Sequence, residues 1–331
     1  MSKIRMAILG CGGMAGAHAE RFKNNSDMEI VALCDVSEEV IESYIARNLA
    51  DYQPKPAVFT DAAQMYAESK PDAVTIVSPH TLHFEHGMQA LEAGCHVLME
   101  KPMVTDSGDA KKLAAKAEET GKIVVVGYNT PCTPIFRYLR ELVRSKELGK
   151  LETVTAWQTQ NWRKFTTGTW RQDPELSGGG QMYDSGAHVF NSLVWTLEQP
   201  VEAVLAFADN VGTPVDINGT VNIRFAEGTL AAITIAGNCP GDSCMMNLTF
   251  EDGRVEVDAW NATFLRVWKN GEPLEVQLEG EAQTPNDNFI DAILGRAAPQ
   301  TTPRNGVIQS QLMDAIYQSI ETKQIAYPQN D

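Results

Sequence analysis

The sequence predicts two domains of different class: an α/β domain with a parallel sheet over residues 1–127, and an α+β domain with a mostly antiparallel sheet over residues 128–331. Three observations predict this. A chain of 331 residues exceeds what one hydrophobic core usually covers. Its first part alternates short apolar runs with helical periods, the pattern of parallel strands joined by crossover helices. After Tyr128 the pattern changes to successive strand-like runs separated by Ala226-Glu227-Gly228, Glu251-Asp252-Gly253 and Lys269-Asn270-Gly271, spaced as hairpin turns between antiparallel neighbours.

In the first domain, Ile4 to Leu9 reads as a strand that runs into Gly10-Cys11-Gly12-Gly13-Met14-Ala15 and then a helix over Gly16 to Phe22. Strand, glycine turn and helix in that order form the context of a dinucleotide-binding fingerprint. Gly10 serves the turn, Gly12 lets the backbone approach a pyrophosphate, and the small Ala15 allows close packing of helix on strand. The helix start then offers free N–H groups to the phosphates. A second strand, Glu29 to Cys34, ends in Asp35, placed to bind a ribose 2′-hydroxyl, and Val36-Ser37-Glu38-Glu39 supplies no arginine for a 2′-phosphate. The expected cofactor is NAD rather than NADP.

Helices follow over Glu38 to Asn48 and Ala62 to Ser69, and a strand over Ala73 to Val77 leads to Ser78-Pro79-His80, a loop expected to meet the cofactor. His80, His83 and His86 invite a metal reading, but no fourth ligand stands near, so His80 and His83 are read as cofactor-loop residues and no metal is expected. A helix over Phe84 to Ala93 stops at Gly94, and the strand Cys95 to Met99 leads to Glu100-Lys101-Pro102 at a strand end, where such sheets bind ligands. Proline restricts Lys101 to extended backbone, a fixed start for a long side chain. The helix Ser107 to Thr120 and strand Lys122 to Gly127 complete this domain.

In the second domain, a helix over Ile135 to Lys146 precedes strands over Leu151–Gln160, Val201–Phe207, Ile217–Phe225, Thr229–Ala236, Asn247–Glu251, Arg254–Trp260 and Thr263–Val267. The segment Gly178-Gly179-Gly180 must bend sharply or lie close against a ligand, and a helix from Tyr183 is expected to put Asp184, His188 and Asn191 on one face. An imidazole steadied by a carboxylate is a competent general base near neutral pH. The residues Gln158, Gln160, Asn161, Trp162, Arg163, Trp170 and Arg171 offer the hydrogen-bonding groups and flat apolar faces that a polyol needs. Helical period returns in the tail, over Pro285 to Leu294 and Gly306 to Thr322, a candidate to pack back on the first domain.

With 27 Lys+Arg against 43 Asp+Glu the formal charge is −16, which opposes binding to nucleic acid or an anionic membrane. Cys11, Cys34, Cys95, Cys132, Cys239 and Cys244 form no CxxC pair and mostly lie in apolar or glycine-rich segments, as reduced thiols do. No run of about 18 apolar residues occurs, and the opening residues pass directly into a strand without a signal core, so a cytoplasmic chain is expected. Self-association as a homodimer or homotetramer is also expected, because the antiparallel sheet needs its outer face covered and a strand such as Ala231 to Ala236 is too apolar to leave wet.

Four segments taken together, the glycine turn from Gly10 to Ala15, Ser78-Pro79-His80-Thr81-Leu82-His83, Ala93 through Pro102, and Gly179-Gly180 through Asp184 to His188, resemble the glucose–fructose oxidoreductase, inositol dehydrogenase and MocA family over essentially the whole chain. The resemblance implies a Rossmann domain followed by an open antiparallel sheet used for substrate binding and oligomer contacts. It places the family's catalytic lysine, aspartate and histidine at Lys101, Asp184 and His188. Many members carry an aspartate three residues after the histidine, where this chain has Asn191. The implied activity is hydride transfer between NAD and a sugar, cyclitol or related polyol. Gly10, Cys11, Gly12, Gly13, Met14, Ala15, Asp35, Ser78, Pro79, His80, His83, Glu100 and Lys101 would face the cofactor. Lys101, Tyr128, Trp162, Arg163, Trp170, Arg171, Asp184 and His188 would face the substrate. His188 would take the hydroxyl proton while Lys101 holds the same oxygen. Two alternatives use the same residues: an NAD-dependent glycosidase acting by transient oxidation, and a non-catalytic NAD sensor.

Overall fold

The computed structural model describes residues 3–328; Met1, Ser2 and residues 329–331, at the outer ends of the two expected domains, lie outside the described residues. Two compact units emerge, one running to Gly127 and including Gln283–Gly306, the other comprising Tyr128–Ala282 and the chain from Val307.

The first unit is built from β1 (Ile4–Leu9), α1 (Gly13–Lys23), β2 (Met28–Cys34), α2 (Glu38–Asn48), β3 (Ala57–Phe59), α3 (Ala62–Ser69), β4 (Ala73–Ile76), α4 (His83–Glu92), β5 (His96–Met99), α5 (Ser107–Thr120) and β6 (Val124–Val126). Its six strands are all parallel, in the order β3-β2-β1-β4-β5-β6. Apart from Arg5 in β1, the residues of β1, β4 and β6 are buried on both faces, which explains their largely apolar runs. Strand order reverses between β1 and β4, so the C-terminal ends of these strands frame the crevice where sheets of this type bind ligands. Helix starts follow local chemistry: Ser37, Asp61 and Asp106 each accept a backbone N–H of the first turn. The edge strand β3 escaped the sequence reading, being three residues long, mostly exposed and preceded by Pro54 and Pro56. Helix α1 starts at Gly13 rather than Gly16, because the glycines form its first turn.

The second unit contains α6 (Pro134–Ser145), β7 (Leu151–Thr159), the short helices α7 (Trp162–Phe165) and α8 (Pro174–Ser177), α9 (Gly186–Leu197) and seven further strands. These are β8 (Val201–Asp209), β9 (Asn218–Phe225), β10 (Leu230–Ala236), β11 (Ser243–Phe250), β12 (Gly253–Val257), β13 (Leu265–Lys269) and β14 (Glu272–Leu274). They make one open sheet, β14-β13-β12-β11-β7-β10-β9-β8, antiparallel except where β10 pairs with β7. One face buries Val154, Ala156, Val221, Ile223, Ile233, Ile235, Met246 and Leu248 in a core shared with α6, α9 and the later part of α11 (Pro303–Thr322). The remaining helix, α10 (Pro285–Ile293), belongs to the first unit, where Phe289 and Ile290 join its core.

The outer face of the large sheet differs from the expectation in composition. Within β10 the isoleucines point inward and Ala232 and Thr234 point outward, because side chains alternate along a strand. Across the strands, Phe207, Thr220, Thr234, Trp157 and Met245 form one outward row. The exposed apolar groups there are Trp157, Phe207 and Leu230, set among threonines.

Candidate active site

At the end of β1, Gly10 adopts φ +94 and lies so close to the chain after β4 that a Cβ would come within 2.7 Å of the Val77 carbonyl carbon. Glycine alone satisfies both demands, and the glycine turn is therefore pressed onto the β4 loop at the reversal of strand order. Gly12 is the N-cap of α1 and offers no side-chain cap, while a Cβ at Gly12 or Gly13 would meet nothing within 4 Å. The start of α1 is thus exposed and uncapped by any side chain, the arrangement that can receive a phosphate at a helix start. Met14 is exposed beside them. The Cys11 and Ala15 side chains point into the core, so any cofactor contact they make is through the backbone; burial, followed by the nearby Asp35 charge, pushes the Cys11 thiol up to about 12.

Asp35 is anchored. Its Oδ2 accepts the Cys11 N–H at 2.8 Å and its Oδ1 the Ser37 N–H at 3.2 Å. Capping of α2 is performed by Ser37, whose hydroxyl accepts the Val40 N–H, and not by Asp35. The carboxylate therefore stands beside the glycine turn and ties β2 to it.

The three clustered histidines are committed separately. Buried His83 places Nδ1 at 2.7 Å from the Pro102 carbonyl and Nε2 at 2.9 Å from the Ser78 carbonyl, linking the loops after β4 and β5. Burial lowers its pKa against the pull of those carbonyls. It is a tie between loops with no exposed surface, so the expected direct cofactor contact does not hold for its side chain. His86 bonds the Ser78 hydroxyl at 2.9 Å, and buried His80 sets its ring edge-on to His83. Pro79 opens the single helical turn His80–Leu82. Among the described residues no group of His, Cys, Asp and Glu is placed to hold a metal ion. At the end of β5, the buried Glu100 accepts the Lys101 N–H on Oε2 at 3.2 Å, and Lys101 itself is half-buried before Pro102.

In the second unit the triple glycine is pressed against protein. A Cβ at Gly180 would lie 2.0 Å from the Asp216 carbonyl oxygen, and one at Gly179 would lie 2.4 Å from the Tyr317 hydroxyl. Asp216 accepts three donors here: the Gly180 N–H at 2.8 Å, the Met182 N–H at 2.9 Å and the Tyr317 hydroxyl at 2.6 Å. Burial pushes its carboxyl pKa up while those donors pull it down.

The helix after this loop begins at Gly186, not Tyr183, which takes Asp184 off the helical face expected to carry it with His188 and Asn191. Asp184 instead sits in the preceding turn, where its Oδ2 accepts the Trp162 indole N–H at 2.7 Å and the Arg171 Nε–H at 3.1 Å. Trp162 is buried, so it holds the carboxylate rather than offering a flat face to a ligand. Arg171 also lies over the Trp170 ring, 4.5 Å from its centroid. Half-buried Arg163 is fixed by its backbone, donating to the Gly237 carbonyl and accepting the Gln172 amide. His188, half-buried on the first turn of α9, stacks on Trp260 at 5.5 Å and meets the edge of Tyr128 at 5.8 Å. Asn191 is turned away from a ligand role, its amide donating to Gln309 at 3.0 Å. Gln158 is wholly buried.

Asp216, Tyr317 and Trp260 reach the site from distant segments and carry no local sequence motif that would announce them. His18, likewise unmarked in the sequence, bonds Glu100 at 2.8 Å.

Residues 4–128 match a family described as an oxidoreductase family with an NAD-binding Rossmann fold, and residues 136–258 match the GFO/IDH/MocA C-terminal domain. The D-glucoside 3-dehydrogenase of Escherichia coli (strain K12) is 27% identical over 362 residues, covering 97% of this chain and 96% of that protein. The scyllo-inositol 2-dehydrogenase (NADP(+)) IolU of Bacillus subtilis (strain 168) is 26% identical over 260 residues, 77% of this chain and 76% of that protein. The WlbA dehydrogenase of Bordetella pertussis, solved with NADH and UDP-GlcNAcA, shares the fold at a TM-score of 0.83 and 22% identity, covering 99% of this chain and 100% of that one. Parallel sheet, glycine turn and open second sheet agree with these matches: the chain belongs to the GFO/IDH/MocA family of oxidoreductases.

Proposed function

We propose that the protein is an NAD-dependent dehydrogenase acting on a hydroxyl-bearing carbon of a sugar, cyclitol or related polyol. The observation that carries this reading is the open, uncapped start of α1 beside the Asp35 carboxylate. Names of relatives that act on a glucoside and an inositol support the substrate class. In this reading residues 1–127, joined by Gln283–Gly306, form the dinucleotide-binding domain, and the rest of residues 128–331 the substrate and oligomerisation domain. The protein would work as a homodimer or homotetramer.

The residues present fit the cofactor. Gly12, Gly13 and Met14 offer backbone N–H groups to the pyrophosphate, and Asp35 a carboxylate to the ribose. NAD is favoured over NADP because Asp35, Glu38 and Glu39 would repel a 2′-phosphate. Bound NAD supplies the hydride acceptor in one direction and the donor in the other. His188 accepts the hydroxyl proton, its ring plane held by Trp260 and Tyr128. Lys101 places a cation where negative charge develops on the substrate oxygen. Asp184, fixed by Trp162 and Arg171, orients the substrate or His188.

The test is a panel of cyclitols, aldoses, ketoses, anhydrosugars and glycosides, with NADH formation and free-sugar release measured together. Steady NADH formation on a polyol or sugar is expected. Release of free sugar with tightly retained cofactor and no net NADH would replace the dehydrogenase with a glycosidase, and binding of NAD without turnover on any compound would leave a sensor.

A further inference from the structure

Lys101 follows a glutamate that is buried and tied to a chain of side chains none of the foregoing roles uses. His18 on α1 is almost fully buried, and its Nε2 lies 2.8 Å from Glu100 Oε1. On the other side of the ring, Nδ1 lies 3.0 Å from the Asn286 amide nitrogen. The direction of every proton follows from the far end. Arg21 has only donors, and its Nη1 meets Asn286 Oδ1 at 2.9 Å. Asn286 must then turn its NH2 toward His18, so Nδ1 is the acceptor and the single ring proton of His18 sits on Nε2. That proton is donated to Glu100. The other Glu100 oxygen accepts the Lys101 backbone N–H, which closes the series from Arg21 through Asn286, His18 and Glu100 to the peptide that carries the lysine. Gly127 makes room for it: a Cβ there would lie 3.2 Å from Glu100 Oε1.

A buried carboxylate needs donors on both oxygens, and a carboxylate that loses one reorients toward the next cation or N–H within reach. We propose that His18 is a positioning residue for Lys101: its Nε2–H fixes the Glu100 carboxylate, and Glu100 in turn fixes the backbone from which the lysine side chain extends. This rests on the reading of Lys101 as the group that stabilises the developing alkoxide. It assigns Asn286, more than 260 residues away in sequence, the task of selecting the histidine tautomer.

Two isosteric changes separate positioning from packing. Gln at position 18 can present an amide N–H where Nε2–H stood, whereas Asn fills the Nδ1 side and leaves Glu100 without that donor. With NAD and whichever of myo-inositol, methyl β-D-glucoside or D-xylose is turned over, His18→Asn is expected to lower kcat about 10-fold or more, the range for loss of a hydrogen bond to a charged group. His18→Gln is expected to stay within about threefold of the parent, and the NADH dissociation constant of both within about threefold. Imidazole 15N NMR of the cofactor-free protein should place the His18 ring proton on Nε2 and not on Nδ1. Equal loss in both variants, unchanged kcat in His18→Asn, or a proton on Nδ1 would overturn the proposal. Should His18→Asn fail to fold, Asn286→Leu, which frees the tautomer and leaves Glu100 in place, is expected to lower kcat about threefold; no change there overturns it equally. Lys101→Ala, measured alongside, keeps the two readings apart. Normal turnover in Lys101→Ala removes the role of the lysine itself, whereas an inactive Lys101→Ala beside a fully active His18→Asn removes only the positioning.

Discussion

Asp35 shows how one side chain carries two obligations. Its position at the end of β2 was readable from spacing to the glycine turn, and so was the acidity of the residues that follow. Its hold on the Cys11 N–H was not, because that bond joins segments 24 residues apart. The bond changes what a substitution should do. Asp35→Ser is expected to narrow an NAD preference of about 10-fold in kcat/KM, equivalent to about 1.4 kcal/mol, and also to weaken both cofactors because the glycine turn loses its tie. Steady-state kinetics with NAD and NADP would check this, and equal efficiency of the two cofactors in the parent protein would remove Asp35 from the ribose. His83, Trp162 and Asp184 carry the same lesson. Sequence placed each near chemistry, but burial turned His83 and Trp162 into holders of other groups, and burial follows from tertiary packing that no short window contains.

Among the elements, those with a strong period and a local stop signal were legible. Helices α2, α3 and α5 lie where the apolar spacing and the residues capping them put them. The start of α9 was not legible, since Tyr183 to Ser185 carries a helical pattern, yet the loop leading into it is tied at Gly180 and Met182 to Asp216 from the segment before β9. The packing of α6 against α9 offers an electrostatic test. Glu198, at the end of α9, receives Arg140 and Arg144 of α6, the latter at 2.5 Å, and Arg140 also lies over the Trp195 ring. Partial burial opposes ionisation of Glu198, but the two guanidinium groups outweigh it and bring its pKa down from 4.5 to about 2. A carboxyl whose folded pKa lies below its unfolded value stabilises the fold above the unfolded value and loses that contribution as pH falls through the folded one. Glu198→Gln should therefore unfold at lower denaturant at pH 7, by about 1 kcal/mol or less for a partly exposed pair. The gap should close as pH drops from 4.5 toward about 2. A gap constant across that range would show that the arginines do not act through the Glu198 charge.

For the whole molecule, fold class was legible because the two sheets write different patterns: short, largely apolar runs such as β1, β4 and β6 alternating with helical periods, and later strands separated by hairpin turn signals such as Ala226-Glu227-Gly228. The parallel pairing of β10 with β7 was not, since alternation does not encode strand direction. The outward row containing Phe207 and Trp157 gives a specific form to the expected self-association. Light scattering at micromolar concentration should show a dimer or larger, and Trp157→Lys with Phe207→Glu should reduce it to the 36.3 kDa chain; a monomeric parent protein would contradict this. The central claim concerns the fate of one substrate hydrogen, and it is tested most directly by label transfer. A substrate from the panel, deuterated at the reacting carbon, is incubated with NAD and the recovered dinucleotide is weighed by mass spectrometry. The account predicts deuterium in NADH, formed by the parent protein and nearly absent with Lys101→Ala. NADH without deuterium, or undiminished transfer in Lys101→Ala, would contradict it.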